Sequence, residues 1–120
     1  MGAKVGVLSF MVGSPNRLYP QVLKIYKMMG KELSIFRYGD LGACLKTKVL
    51  NNYIFSLTAF ATAETINIGI KNGLEQIKLN EILNVSSGQN FNSCINKPVP
   101  GLTPNNAASH GFRGGFSIEL

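Results

Sequence analysis

The spacing of apolar residues changes repeatedly along the chain, and each change predicts an element. Residues 4–12 (KVGVLSFMV) are a short, β-branched apolar run that stops at Gly13, the pattern of a strand. Ser14 or Asn16 then stands as the expected cap of a helix that has Pro20 in its first turns and Gly30 closing it. Val22, Leu23, Ile25, Tyr26 and Met29 recur there at helical spacing and predict one core-facing stripe. Residues 33–38 predict a second, shorter strand. From Lys48 to Ile70 the text changes character: no proline interrupts it, and no glycine precedes Gly69. With its flanks, the stretch from Gly42 to Asn72 predicts one helix roughly 45 Å long, entered through Gly39 and Gly42 and capped at Asn72–Gly73. Residues 76–85 predict a further helix with Ile77, Leu79, Ile82 and Leu83 inward, broken by Ser86-Ser87-Gly88. A short helix is expected over residues 89–95. Residues 96–115 read as a proline- and glycine-rich loop in which His110 is solvent-exposed.

Apolar residues fall on every side of the long helix: Val49, Leu50, Tyr53, Ile54, Leu57, Phe60, Ile66, Ile68 and Ile70. A helix of that kind is covered by neighbours or by lipid. Lipid is the poorer reading, because Asn51, Asn52, Glu64 and Asn67 would each need a partner in the bilayer and the unbroken apolar run is far short of the ~20 residues of a span. The expected fold is therefore mainly α: a helical bundle built on one long central helix and preceded by a short strand–helix–strand. No membrane is implied.

Charge narrows the partners. The 120 residues carry a net charge of +6, and residues 1–60 hold eight Lys and Arg against Glu32 and Asp40. The cations are scattered, with no cluster and no interleaved aromatics, so nucleic acid is not implied. A basic cleft for a small carboxylate fits better. Cys44 and Cys94 lie 50 apart without metal-type spacing, so free thiols in a reducing compartment are expected and no metal site is. No secretory signal is visible at the start of the chain.

Candidate chemistry sits at the head of the long helix. Lys48 and Asn52 are four apart and share one helical face. A lysine beside apolar surroundings can serve as general acid or base, and a carboxamide one turn on can hold a hydroxyl or carboxylate. Alone, the pair also fits a solvated lysine beside an asparagine bonded within the fold.

The wider text is more specific. GDLGACLKTKVLNNY, followed by ATAETINIG, resembles the lysine-bearing segment of the β-hydroxyacid dehydrogenase family. ILNVSSG at residues 82–88, PVPG at 98–101 and GGF at 114–116 extend the likeness over essentially the whole chain, closest to the 3-hydroxyisobutyrate branch. The resemblance implies a catalytic Lys48 acting as general acid/base, with Asn52, Ser87, Gly88 and Phe116 around the substrate. It implies NAD-dependent oxidation of 3-hydroxyisobutyrate to methylmalonate semialdehyde in valine degradation, a homo-oligomer formed through the helical domain, and a mitochondrial or cytoplasmic location. By the same likeness, residues 1–39 are the tail of a dinucleotide-binding (Rossmann) domain, and residues 40–120 are a truncated helical substrate and oligomerisation domain. Gly2-Ala3 match the end of a substrate-contacting glycine-rich loop.

No G-x-G-x-x-G turn for the cofactor pyrophosphate occurs in the 120 residues, and the helix that follows GGF in the family is not reached. The chain therefore reads as an internal piece, inactive in isolation, with no confident cofactor-binding residue. Four positions depart from the family pattern. Cys44 replaces a glycine, Lys46 a small residue, Phe91 a tryptophan and Lys97 the asparagine of NPVPG. Two other readings remain: a non-catalytic helical association domain, and another branch of the superfamily, such as a semialdehyde or glyoxylate reductase.

Overall fold

The structure is a computed structural model and describes residues 6–39, 41–104 and 106–111. The chain divides into two compact units, Met1–Asn52 and Tyr53–Leu120, with the division falling inside the longest helix. α-Helix predominates, and a small two-stranded parallel sheet accompanies it.

The first unit is a β-α-β arrangement. Strand β1 (Phe10–Val12) pairs in parallel with β2 (Ile35–Arg37), Phe10 opposite Ile35 and Val12 opposite Arg37, and helix α1 (Tyr19–Lys27) connects them. Parallel strands require such a crossover. Both strands are shorter than the apolar runs predict, and residues 32–34 form a 3₁₀ turn instead of strand. Val12 and Ile35 make the small core. The Phe10 and Tyr26 rings meet at a centroid distance of 4.6 Å and hold α1 against the sheet.

Two expectations for α1 need correction. Its cap is Leu18, without a side-chain bond; the Ser14 backbone is fixed at the sheet end, its N–H donating to Gly39 O at 3.3 Å and its carbonyl accepting from Arg37 Nε at 3.0 Å, and its hydroxyl is buried without a partner among the described residues. Its stripe is also only partly covered. Val22, Leu23 and Tyr26 are half-buried, but Ile25 and Met29 are exposed. Gly30 has a role beyond closing the helix. A Cβ there would stand 2.7 Å from Phe10 Cε2 and 2.9 Å from Leu8 O, so the α1 exit passes tightly under β1.

Helix α2 (Ala43–Lys71) is 29 residues long, about 43 Å. Gly39 (φ +68°) and Gly42 (φ +89°) make the turn ahead of it, in the left-handed region that glycine alone enters freely. A Schellman cap ends it. Gly73 N–H donates to Ile70 O at 3.0 Å, Leu74 N–H to Gly69 O at 2.9 Å, and Gly73 has φ +79°. No helix among the described residues is long and apolar enough to cross a membrane.

In the second unit, helix α3 (Gln76–Asn84) starts at Glu75, whose carboxylate accepts from the N–H groups of Ile77 and Lys78 at 2.9 and 2.8 Å. Those bonds hold the Glu75 carboxyl below its ordinary pKa. Leu79 and Leu83 are half-buried, whereas Ile77 and Ile82 are exposed and Asn80 is the buried residue of α3. The short helix expected before residue 96 is a π-helical turn, Asn92–Asn96. The expected loop after it contains a 3₁₀ turn at Ala107–His110, and His110 is exposed.

Polar residues dominate the interior of this unit. Asn92 is fully buried: its Nδ2 donates to Phe55 O (3.0 Å) and Thr58 Oγ1 (2.8 Å), and its Oδ1 accepts from Asn96 Nδ2 (2.7 Å). Asn90 Oδ1 accepts from Asn92 N–H (2.9 Å) and Ser93 N–H (3.2 Å), while its Nδ2 reaches Thr62 Oγ1 (3.2 Å) and Gly88 O (3.0 Å). Asn84 Nδ2 donates to Ser93 O at 3.2 Å. A carboxamide is both donor and acceptor, so these asparagines satisfy the groups of an irregular segment docked on a helix.

Candidate functional site

Lys48 lies in the second turn of α2, where Gly39 and Gly42 have turned the chain from β2 into the helix. It lines an open cleft of about 750 Å³ in the first unit. Helix α2 contributes Cys44, Leu45, Lys48 and Asn51, and the strand side contributes Leu8, Ser9, Phe10, Met11 and Phe36. The spacings 44, 48 and 51 put three side chains on one face. Neither Lys48 nor Asn51 makes an ion pair or side-chain hydrogen bond among the described residues. A lysine, a carboxamide and the Ser9 hydroxyl thus stand in a mostly apolar cleft, with no side-chain hydrogen bond to any of the three among the described residues. That arrangement can take a small molecule bearing both apolar and oxygen functions.

Lys48, Asn51 and Asn52 are all exposed on the helix, and of the two asparagines Asn51 is the one that lines the cleft beside Lys48. Ser87 is exposed in the turn after α3. Gly88 lines a separate 210 Å³ hollow with Thr58, Ala61, Thr62, Thr65, Leu83 and Asn90, inside the second unit. Phe116, Gly2-Ala3 and GGF lie outside the described residues. Cys44 is part of helix α2 and lines the cleft wall. Sequence reasoning passed over Asn51 and Ser9. The i, i+3 spacing from Lys48 was the available signal for Asn51; nothing local marks Ser9.

Neither strand-to-helix turn fits a dinucleotide pyrophosphate. The β1–α1 connection has one glycine, Gly13, and Pro15 lacks an N–H to donate, while the turn before α2 has Gly39 and Gly42 with the carboxylate residue Asp40 between them.

The model of the family described as "NAD-binding of NADP-dependent 3-hydroxyisobutyrate dehydrogenase" matches residues 42–120. A 3-hydroxyisobutyrate dehydrogenase of Pseudomonas aeruginosa is 38% identical over 99% of this chain and 39% of its own length. An NAD-dependent L-serine dehydrogenase of the same organism is 37% identical over 99% of the chain and 39% of its own length. The mitochondrial 3-hydroxyisobutyrate dehydrogenase of Rattus norvegicus is 33% identical over 98% of the chain and 35% of its own. Among solved structures, the 3-hydroxyisobutyrate dehydrogenase of Mycobacterium tuberculosis with L-serine superposes with a TM-score of 0.83 at 30% identity, covering 97% of this chain and 39% of that one. The chain thus spans about two fifths of the length of the relatives it matches. With the family model covering α2, α3 and all that follows them, this chain belongs to the NAD-binding family of 3-hydroxyisobutyrate dehydrogenases.

Proposed function

We propose that the chain is the lysine-bearing part of a dehydrogenase that oxidises 3-hydroxyisobutyrate to methylmalonate semialdehyde in valine degradation, with Lys48 as the general acid/base. The observation that supports this reading is Lys48, without an ion pair or side-chain hydrogen bond among the described residues, in a cleft large enough for a small hydroxy acid. Oxidation of an alcohol releases a hydroxyl proton, and only a group within about 2.6–3.2 Å of that oxygen can accept it. Lys48 supplies that group, and Asn52 steadies it and the substrate. The family's hydride acceptor is a nicotinamide cofactor, NAD; what this chain's residues contribute is proton handling and substrate placement.

On the same reading, residues 1–39 close a dinucleotide-binding domain, and residues 40–120 form a helical bundle domain with α2 at its centre. The exposed apolar face of α2 serves assembly into a homo-oligomer, in the mitochondrion or the cytoplasm. A second substrate has a specific basis: one relative is an L-serine dehydrogenase and the solved relative was captured with L-serine. Both acids are 3-hydroxy carboxylates, and the apolar lining of the cleft favours the methyl branch over an ammonium.

The test replaces the matching segment of the Pseudomonas aeruginosa enzyme with residues 1–120. In that chimera Lys48→Ala lowers kcat roughly 10²–10⁴-fold, the range of general acid–base catalysis. Lys46→Ala, whose position two residues away faces elsewhere, changes little. Near-normal turnover by Lys48→Ala alongside a dead Lys46→Ala would put the motif in the wrong register. The ratio of kcat/KM for 3-hydroxyisobutyrate and L-serine decides between the substrates.

A further inference from the structure

We propose that the turn closing helix α1 is a docking surface for an anionic lipid membrane, with Met28 and Leu33 entering the headgroup layer and Lys24 and Lys31 meeting lipid phosphates. The contact is a surface one and not a span, since no helix among the described residues is long and apolar enough to cross a bilayer. Three observations within the first unit carry it.

Exposure is the first. Helix α1 half-buries Val22, Leu23 and Tyr26, while Ile25, Met28 and Met29 are exposed, and Leu33 follows in the 3₁₀ turn. Met28 and Leu33 are 87% and 91% exposed, so neither has the neighbours that would make it the wall of a groove. A bound helix or peptide lies in a concave surface, whereas apolar side chains standing out on a tip suit a layer that deforms around them.

The second is that the tip is held in one shape. Lys27 Nζ pairs with Glu32 Oε1 at 2.5 Å across the turn, and inside it Ser34 N–H donates to Lys31 O at 2.9 Å. Met28 and Leu33 thus flank a closed turn, and docking has little backbone left to order.

Charge is the third. Residues 17–37 hold Arg17, Lys24, Lys27, Lys31 and Arg37 against Glu32 alone, and Glu32 is the acid that Lys27 engages. Lys24 and Lys31 make no ion pair among the described residues. Lys24 and Met28 are four apart and share a helical face, so a cation and an apolar side chain reach the same layer together. Cations near an anionic leaflet add attraction to the apolar insertion. A free phosphate or a nucleic acid would satisfy the lysines and leave Met28 and Leu33 in water.

The chain contains no tryptophan, so Met28→Trp installs a single fluorescent reporter at the tip. Val85→Trp is the control, because Val85 is also 87% exposed but lies in the second unit. Each 120-residue variant is mixed with phosphatidylcholine vesicles containing about one-third phosphatidylserine, and with phosphatidylcholine alone. The expected result is a blue shift of the Met28→Trp emission on the anionic vesicles only, reversed by raised salt, with no shift for Val85→Trp on either. Co-sedimentation then reads the affinity. Lys24→Ala and Lys31→Ala should each lower the partition coefficient about fivefold. Met28→Ser combined with Leu33→Ser should lower it about tenfold or more, with an unchanged circular dichroism spectrum because both side chains are exposed. Equal binding to neutral vesicles, a shift at both tryptophans, undiminished binding by the double serine variant, or no binding to anionic vesicles would each overturn the assignment.

Discussion

Replacing Asn92 by alanine is the sharpest test of how the second unit holds together. The side chain is 0% exposed and makes three bonds: to Phe55 O, to Thr58 Oγ1 and from Asn96 Nδ2. A neutral intramolecular hydrogen bond contributes about 1 kcal/mol net, so three amount to about 3 kcal/mol. Part of that is recovered. Phe55 O keeps Thr58 Oγ1 as a donor at 3.0 Å, and Thr58 Oγ1 can also donate to Ile54 O. Asn96 is half-buried and can turn to water. The expected destabilisation is therefore about 2–3 kcal/mol. With a urea slope of about 1.5 kcal/mol/M, the unfolding midpoint falls by roughly 1.5–2 M. Asn92→Asp should be worse at neutral pH, because it keeps the shape but aims an unpaired carboxylate at the Phe55 carbonyl. Thr58→Ala, which removes one of the three bonds, should cost about 1 kcal/mol. Urea unfolding followed by circular dichroism reads all three. A midpoint shift below about 0.3 M for Asn92→Ala, or an aspartate variant more stable than the alanine one, would refute the argument.

Three further outcomes follow from single contacts. Lys97 adopts φ +43°, where a side chain crowds the following carbonyl at a cost of about 1–2 kcal/mol, and after glycine asparagine is among the residues that best tolerate that region. Lys97→Asn should thus raise stability by about 0.5–1 kcal/mol and Tm by roughly 3–6 °C in a calorimetric scan; an unchanged or lowered Tm would contradict it. Gly30→Ala puts a Cβ 2.9 Å from the Leu8 carbonyl, which as backbone cannot swing away, and should cost about 1–3 kcal/mol by urea titration. Glu75 has its carboxyl pKa lowered by the Ile77 and Lys78 N–H bonds, so its cap contribution is complete above the unfolded-state pKa and is lost as pH falls through the folded one. Carboxyl NMR titration should place the Glu75 midpoint below that of an ordinary glutamate, and Glu75→Gln should flatten the acid limb of the stability profile.

The elements that sequence located well are those with punctuation. Helix α2 runs between Gly42 and Gly73, and both glycines have the positive φ that ends regular structure. The strands were placed but overextended, since an apolar run says that residues avoid water and does not say how many find a pairing partner. The α1 cap was missed because Ser14, a good cap by type, has its backbone fixed at the sheet end by Gly39 and Arg37, away from the start of the helix. Those contacts arrive from more than 20 residues away. Periodicity named faces for α1 and α3 that the structure covers only in part, with Val22, Leu23, Tyr26, Leu79 and Leu83 half-buried and Ile25, Met29, Ile77 and Ile82 exposed. The asparagine network was invisible for the same reason: a carboxamide in a loop looks identical whether it meets water or a carbonyl. Lys48 was legible as a candidate from its resemblance, while the cleft that it lines with Asn51 shows only once the strand side is in place.

The interior and surface of this chain are inverted relative to a self-sufficient domain, and that inversion fits its share of the family's length. Among the described residues the buried apolar set is Val12, Ile35, Ile66 and Ala108, against the buried polar set Ser14, Thr62, Asn80, Asn92, Ser93 and Asn106. Of the nine apolar residues around α2, only Ile66 is buried, and Leu50, Tyr53 and Phe60 are about two-thirds exposed. Hydrogen bonds exchange protein partners for water and contribute little net energy, so a carboxamide interior fixes geometry more than it drives folding. The driving force lies in the uncovered apolar surface, at about 25 cal/mol for each Å² removed from water. A stretch that is two fifths of its relatives' length has little chain with which to cover a 29-residue helix on all sides. The polar network therefore works as a locator: it docks residues 90–96 on α2 in one register, so that whatever covers the helix meets a defined surface instead of a fluid one. Burying that surface against a partner would add what the carboxamide interior does not supply.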